Sequence, residues 1–132
     1  MDFFGYRRLI AYQRAMEVVK NVYALLKKFP KEEQFALCSQ LRRSAVSVTS
    51  NIAEGTTRYS YRDKIHFLEI AFGSLMEAMS QLEIANTLEY ITDDDLHNIE
   101  IKINETAQLL TCLQRSFMKK DENGNPIKPN TK

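Results

Sequence analysis

The sequence contains few residues that interrupt a helix: 132 residues include four glycines and three prolines. Gly124, Pro126 and Pro129 all lie in the last ten residues, so residues 1–120 are nearly free of helix breakers. Glycine and proline are the residues that most disfavour helix interiors. Their scarcity therefore favours long helices before any periodicity is considered.

The chain also has little that would mark a secreted or membrane protein. Its two cysteines, Cys38 and Cys112, form no CxxC motif and fall in apolar helical patterns, which predicts small, reduced core residues in the cytoplasm. No apolar run is long enough to cross a bilayer, so we expect no membrane contact. The N-terminal segment lacks the uninterrupted apolar core of a signal peptide.

Patterns typical of catalysis are missing as well. There are two histidines, no Gly-rich phosphate loop and no zinc-type spacing, so we expect no enzyme activity and no cofactor. The pairs Asp63-x-x-His66 and Asp94-x-x-His97 imitate part of a di-metal carboxylate motif. Both aspartates fall in expected first helical turns, where capping explains them, so we expect no metal site.

Four segments show the periodicity of amphipathic helices, with apolar residues recurring at steps of three and four. The segments are 6–29, 31–54, 61–90 and 93–118. The recurring residues are Leu9, Tyr12, Met16, Val19, Tyr23 and Leu26, then Phe35, Cys38, Leu41, Ala45, Val48 and Ile52, then Ile65, Leu68, Phe72, Leu75, Met79 and Leu82, then Leu96, Ile99, Ile103, Leu110, Leu113 and Phe117. Because the connections are short, the sequence predicts an all-α, antiparallel up-down-up-down four-helix bundle as one domain, 1–118, followed by a disordered tail, 119–132.

Local signals indicate where these helices begin and end. Phe29-Pro30 ends the first helix, and Gly55 is a candidate left-handed stop for the second. Ser60 precedes the third helix with Asp63 three residues later, and Thr92 precedes three aspartates at the start of the fourth. Both patterns predict helix caps.

Charge is distributed unevenly, although the net charge is only +1. Residues 1–60 carry ten Lys/Arg and five Asp/Glu, whereas residues 61–118 carry four Lys/Arg and ten Asp/Glu. Such asymmetry steers a protein toward a charged partner, or toward another copy of itself. Five arginines in the basic half are candidate nucleic-acid contacts: Arg7, Arg8, Arg14, Arg42 and Arg43. The ordinary alternative is a solvated face with salt bridges, and the nearby aromatics are Tyr6, Tyr59 and Tyr61.

The least ordinary segment is Gln40–Gly55, where Ser44, Ser47 and Asn51 share one helical face. The third helix has a matching set of small residues, Ala71, Gly73, Ser74 and Ala78. One interpretation is close contact between the two helices, which would also explain Gly73. The other is a polar pocket or subunit contact lined by Arg43, Ser50, Asn51, Glu54, Ser74 and Glu77, with Glu54 or Glu77 pairing with a half-buried Arg43.

Three segments together resemble a known family: Phe29-Pro with Phe35-x-Leu37, the stretch Gln40–Gly55, and Phe67–Glu77. The chain, over roughly residues 5–118, is similar to the bacterial four-helix-bundle family first noted as reading frames inside intervening sequences of 23S ribosomal RNA genes. The resemblance implies a left-handed bundle and a ring-shaped homopentamer. It also implies kinship with the accessory variability proteins of diversity-generating retroelements, which are basic pentamers that bind a reverse transcriptase and nucleic acid, whereas this chain is nearly neutral.

Two functional hypotheses follow. The first is a non-catalytic, ring-forming homopentameric scaffold that binds RNA, DNA or a nucleic-acid enzyme such as a reverse transcriptase. The second is a homo-oligomeric protein-interaction module with no nucleic-acid role.

Overall fold

The computed structural model describes residues 1–120 and 124–126, which form four long helices. These are α1 (Ile10–Leu26), α2 (Leu37–Thr56), α3 (Tyr61–Thr87) and α4 (Asp93–Met118). Short 3-10 helical turns, Gly5–Arg8 and Lys31–Glu33, precede α1 and α2. Within these residues the only strand-like feature is a single antiparallel bridge between Lys120 and Pro126.

Each helix packs against two others, and this arrangement gives the topology. Helices α1 and α3 both contact α2 and α4, and α2–α3 is the most extensive of the four contacts. Across the described residues, the diagonal pairs α1–α3 and α2–α4 are not in close contact. Because short connections join consecutive helices, neighbours run antiparallel. The predicted all-α, up-down-up-down four-helix bundle is confirmed.

The core consists of aliphatic side chains from all four helices. The largest side chains with almost no exposed surface include Leu41, Ile52, Leu68, Leu75, Leu82 and Leu110. Burying one such side chain stabilises a fold by about 1.5–3 kcal/mol. Tertiary burial of these stripes therefore holds the helices together. None of the helices in the described part of the chain combines the length and hydrophobicity that crossing a bilayer requires.

Helix α1 is shorter than predicted, and it buries a different face. Leu9 is extended, with φ −72° and ψ 128°, so it separates the 3-10 turn from α1. Met16 and Tyr23, placed in the predicted seam, are 44% and 45% exposed, so the prediction is wrong for them. The fully buried row is Ala11, Ala15, Val18, Val22 and Leu25, which recurs with the same spacing. Four residues of the predicted seam are partly buried and pack beside this row: Leu9, Tyr12, Val19 and Leu26.

Helix α2 begins and ends later than predicted. It starts at Leu37 because Ala36 has φ −114° and ψ −102°, outside the helical region. Phe35, predicted to belong to the apolar stripe, is consequently 89% exposed. Gly55, predicted as a left-handed stop, is instead a buried residue of the last turn without a positive φ.

Close approach explains Gly55. A Cβ atom there would lie 2.7 Å from the Cβ atom of Phe67 in α3, so only glycine fits between these helices. Gly73, for which we predicted such an approach, has no neighbouring atom within 4 Å of the position a Cβ would take. That prediction is wrong, because Gly73 lies on the exposed side of α3.

The predicted caps of α3 and α4 are confirmed. The backbone N–H of Asp63 donates to Ser60 Oγ at 3.1 Å. At α4 the Asp95 N–H donates to Thr92 Oγ1 and the Thr92 N–H donates to the Asp95 carboxylate, both at 3.0 Å. This reciprocal pair is a complete capping box.

The end of α3 comes three residues before the predicted boundary at residue 90. Glu89 adopts a left-handed φ of 65°, which stops the helix. The N–H groups of Tyr90 and Glu89 donate back to the carbonyl oxygens of Ala85 and Asn86. This is the hydrogen-bond pattern of a Schellman motif, which normally has glycine at the left-handed position.

Both cysteines are free, but they lie in different environments. Cys38 is buried as predicted, whereas Cys112 is exposed on α4, so the core placement is wrong for Cys112. Burial raises the pKa of the Cys38 thiol. Most of the tail predicted to be disordered, 121–123 and 127–132, lies outside the described residues.

Candidate functional site

The polar face of α2 meets α3 in a hydrogen-bonded cluster. Ser44 Oγ lies 2.6 Å from Gln81 Oε1 and 2.7 Å from the Gln40 carbonyl oxygen, so its proton has two acceptors. The Gln81 amide in turn donates to the Glu77 carboxylate at 3.2 Å. Ser44 and Gln81 are both buried. The cluster therefore compensates for burying polar groups in the most extensive interface of the bundle.

A second set of hydrogen bonds lies one turn further along α2. Asn51 Nδ2 donates to the carbonyl oxygen and to the Oγ of Ser47, at 2.8 and 2.9 Å. Because Ser47 Oγ accepts from Asn51, it can donate to Ser74 Oγ, which is 2.8 Å away. Among the described residues no buried side-chain nitrogen or oxygen lacks a partner. This geometry favours the interpretation of the Ser-Asn stripe as a helix–helix contact.

The structure brings together only part of the predicted polar cluster. Asn51, Ser74 and Glu77 belong to the α2–α3 network, whereas Ser50 is exposed. Arg43 is also exposed, and in the part of the chain that the structure describes it forms no ion pair with either predicted carboxylate. Glu54 pairs instead with a loop arginine four residues later, at 2.7 Å.

The five candidate nucleic-acid arginines do not form one patch. Arg8 pairs with Asp2 at 2.6 Å, and Arg14 pairs with Glu105 of α4 at 2.7 Å. The Arg7 guanidinium lies 4.6 Å from the centre of a phenylalanine ring. The turn that carries Arg7 and Arg8 packs against α2. It shares a cavity with residues at the carboxyl end of that helix, whereas Arg42 and Arg43 lie about 20 Å away near its start.

Arg42 and Arg43 instead line a groove between α1 and α2. Arg42 is partly buried and donates to the Gln34 carbonyl oxygen at 3.3 Å. A cavity of about 450 Å³ is lined here by Tyr23, Ser39, Arg42, Arg43, Val46, Ser47 and Ser50. An adjoining cavity of about 380 Å³ adds Lys27 and Lys31. We call these nine residues the basic groove.

The outer side of α3 carries the opposite charge. Two rows of residues spaced by seven lie exposed along it, and we call them the acidic face: Glu69, Met76 and Glu83, and Ile70, Glu77 and Ile84. The isoleucines and Met76 are 39–46% exposed. Among the described residues none of the three glutamates forms an ion pair, since Glu69 and Glu77 accept only from glutamine amides.

The weak metal motifs do not come together. Asp63 and Asp94 lie in the first turns of different helices, and His66 and His97 are exposed. Over residues 1–120 and 124–126 no group of three His, Cys, Asp or Glu side chains is arranged to hold a metal ion.

Comparison with known proteins places the chain in a family. Residues 7–112 match the family model described as 23S rRNA-intervening sequence protein. The fold is similar to the crystal structure of a protein with unknown function from the S23 ribosomal protein family of Bacteroides thetaiotaomicron VPI-5482, with a TM-score of 0.74 and 26% sequence identity. That match covers 80% of this chain and 99% of the other. No curated protein matches the sequence. The chain, an antiparallel four-helix bundle matched over most of its length, belongs to the 23S rRNA-intervening sequence protein family.

Proposed function

We propose that this protein is a non-catalytic scaffold that assembles into a closed homopentameric ring, with the basic groove of one protomer against the acidic face of the next. A contact between two different surfaces is heterologous, and a heterologous contact forms a ring when the rotation between successive copies closes. The two faces support a heterologous contact, and the number five comes from the resemblance to the pentameric family.

One observation carries this proposal: within the described residues, the basic groove holds unpaired cations and the acidic face holds unpaired glutamates. Within residues 1–120 and 124–126, no carboxylate pairs with Lys27, Lys31 or Arg43, and none pairs with Arg42 or the neighbouring Lys20. In the same residues no cation pairs with the glutamates of the acidic face. Complementary potentials of this kind set the register and the encounter rate of a protein contact.

Exposed apolar side chains accompany the charges on both faces. Tyr23 and Val46 in the basic groove are 45% and 39% exposed, and Met76 and Ile84 on the acidic face are 40% and 46% exposed. Removing apolar surface from water stabilises a contact by about 25 cal/mol per Å². The apolar residues thus contribute affinity, and the surrounding charges determine the relative orientation of the two copies.

Charge reversal tests the contact. Arg42→Glu and Glu83→Arg each place like charges across the proposed interface, so each variant should shift native mass spectra toward monomer at a fixed concentration. The double variant restores opposite charges with the polarity reversed and should recover part of the oligomer. His97→Gln, on the exposed side of α4, serves as a control that leaves the assembly unchanged. If the single variants assemble like the wild type, the proposed contact is wrong.

The partner proposed for the ring is nucleic acid or an enzyme that acts on it. A ring repeats every unpaired cation around its axis, which strengthens phosphate binding through multivalency. The protein lacks tryptophan, so nucleic acid carried through purification is visible at 260 nm. Retention that weakens steeply with added salt supports phosphate contacts by cations outside the proposed interface, and Arg7→Gln should reduce that retention without changing the oligomer. No retention at low salt contradicts this part of the proposal.

A specific observation favours the second function, an interaction module without a nucleic-acid role. Arg8 and Arg14 already have carboxylate partners, and the five arginines lie in separate places. Arg42 and Arg43 belong to the proposed interface between copies, so they are covered in the ring. The Arg42→Gln, Arg43→Gln variant therefore loses the oligomer itself.

A further inference from the structure

A separate cavity lies at the end of the bundle where the 3-10 turn, the α2–α3 loop and the last turn of α4 meet. Its volume is about 570 Å³, within the range of small-molecule sites. Tyr6, Tyr61 and Phe117 line it together with Lys64. The Tyr61 and Phe117 rings are 5.4 Å apart between centres, inclined at 58°. The cavity therefore presents aromatic surface to any occupant.

Lys64 is a partly buried cation on α3. Its Nζ donates to the Thr56 carbonyl oxygen at 2.8 Å, which satisfies the carboxyl end of α2 but uses only one of three donors. Among the described residues no carboxylate pairs with it. Asp2, the carboxylate that lines the cavity, is paired with Arg8 at 2.6 Å.

Two aromatic rings flank the Lys64 ammonium. Its Nζ lies 5.7 Å from the centre of the Tyr61 ring and 5.9 Å from that of Phe117. Burial lowers the pKa of Lys64, because the charged ammonium is partly removed from water. An anion beside it would offset that cost, since hydrogen bonds between charged groups are stronger than neutral ones.

We propose that this cavity binds a small planar anion, an aromatic ring carrying a phosphate or carboxylate group, with the ring against Tyr61 and Phe117 and the anionic group on Lys64. Aromatic faces favour planar rings, and the two remaining Lys64 donors suit anionic oxygens. A free metabolite and an unpaired nucleotide of a nucleic-acid strand share this chemistry. The site does not depend on ring assembly.

Isothermal titration calorimetry of the full chain with three probes measures the aromatic and the charged contributions to binding separately. The probes are AMP, adenosine and inorganic phosphate. AMP has the ring and the charge, adenosine lacks the charge, and phosphate lacks the ring. AMP should bind at least about tenfold more tightly than adenosine, which lacks the charged group for Lys64, and than phosphate, which lacks the ring for Tyr61 and Phe117. Absence of AMP binding, or AMP binding no tighter than phosphate, overturns the proposal.

Variants assign the role of Lys64. Lys64→Gln should abolish the difference between AMP and adenosine, whereas Lys64→Arg should retain it, because only the charge is needed. Lys102→Gln removes another partly buried cation, on α4 and outside this cavity, and should leave AMP binding unchanged. If Lys64→Gln is unfolded by circular dichroism, Phe117→Leu provides the second test, and it should weaken AMP and adenosine alike. Unaltered AMP discrimination in a folded Lys64→Gln protein contradicts the assignment.

Competition distinguishes the source of the ligand. Displacement of a labelled single-stranded oligonucleotide by AMP indicates a nucleotide within a strand, and AMP binding without displacement indicates a free small molecule. Native mass spectra of the same samples report the ring independently. A result that contradicts ring assembly can therefore be distinguished from a result that contradicts ligand binding in this cavity.

Discussion

Gly55 and Gly73 have opposite environments although both lie in helices. A Cβ on Gly55 would meet Phe67 Cβ at 2.7 Å, whereas a Cβ on Gly73 would meet open space. Gly55→Ala should therefore lower the free energy of unfolding by about 1–3 kcal/mol through overpacking. Gly73→Ala should raise it by up to about 1 kcal/mol through helix propensity. Urea unfolding at one protein concentration measures both, and equal effects of the two changes would contradict the described contact.

Asp95 links stability to pH. Its hydrogen bond from Lys28, followed by that from the Thr92 N–H, holds the pKa of Asp95 below the usual 3.8. Since the folded pKa is the lower one, the folded state favours the carboxylate. The stability it contributes is present above about pH 4 and is lost as pH falls through the folded pKa. The free energy of unfolding should decline below pH 4.

Substitution at Asp95 isolates that contribution. Asp95→Asn should be less stable at neutral pH and show a shallower decline on acidification. Asp94→Asn, which removes a neighbouring first-turn carboxylate that does not contact Lys28, should keep the steep decline. If the free energy of unfolding of Asp95→Asn declines with acidification as steeply as that of the wild type, the ion pair between Lys28 and Asp95 is not the source of the decline.

At the scale of single residues, the sequence allowed caps to be predicted but not close approaches. Ser60 and Thr92 were identifiable because capping depends on residues three positions apart in the chain. Gly55 and Gly73 were misassigned because the role of a helical glycine depends on what the neighbouring helix places opposite it. For the same reason Lys64 was not singled out: its aromatic neighbour Phe117 is 53 positions away in the sequence.

Among the helices, the α2–α3 contact depends on the buried hydrogen bond between Ser44 and Gln81. Ser44→Ala leaves the amide oxygen of a buried glutamine without its donor, so it should cost about 1–3 kcal/mol. Ser44→Ala combined with Gln81→Leu removes both partners and should recover part of that loss. Ser80→Ala, on the exposed side of α3, should change stability by less than about 0.5 kcal/mol. A double variant as unstable as the sum of its parts would contradict the pairing.

The end of α3 carries backbone strain. Glu89 holds a left-handed φ of 65° at the position where Schellman motifs favour glycine. Glu89→Gly should raise the free energy of unfolding by about 1 kcal/mol. Glu100→Gly, inside α4, should lower it by about 1 kcal/mol, because glycine is unfavourable in a helix interior. Thermal or urea unfolding of the pair checks both signs.

Periodicity predicted which segments form helices, but it did not predict which face of α1 is buried. Two rows with the same spacing run along α1, one bulky and one containing Ala11 and Ala15. The bulk of Met16 and Tyr23 favoured their row, yet the row with Ala11 and Ala15 faces the core and the bulkier row flanks it, because periodicity alone does not distinguish two neighbouring apolar rows. Helix α4 has one strongly apolar row. Its boundaries, Asp93–Met118, are those that the sequence predicted.

For the whole molecule, the charge asymmetry between the two halves of the sequence becomes a difference between surfaces. Folding pairs some charges within the bundle, such as Arg14 with Glu105 and Lys28 with Asp95. Among the charges that form no ion pair within the described residues are the cations of the basic groove and the glutamates of the acidic face. The sequence predicted the asymmetry, but it did not indicate which charges are neutralised internally, since those pairs join distant segments.

The basic groove and the acidic face lead to one expectation for the protein in solution: copies join through unlike surfaces. Sedimentation velocity of the untagged full chain at moderate salt measures this directly. We expect one dominant species with five times the mass of a single chain. This species should dissociate as added salt screens the charged contact. A single species with the mass of a monomer, or of a twofold dimer, would contradict it.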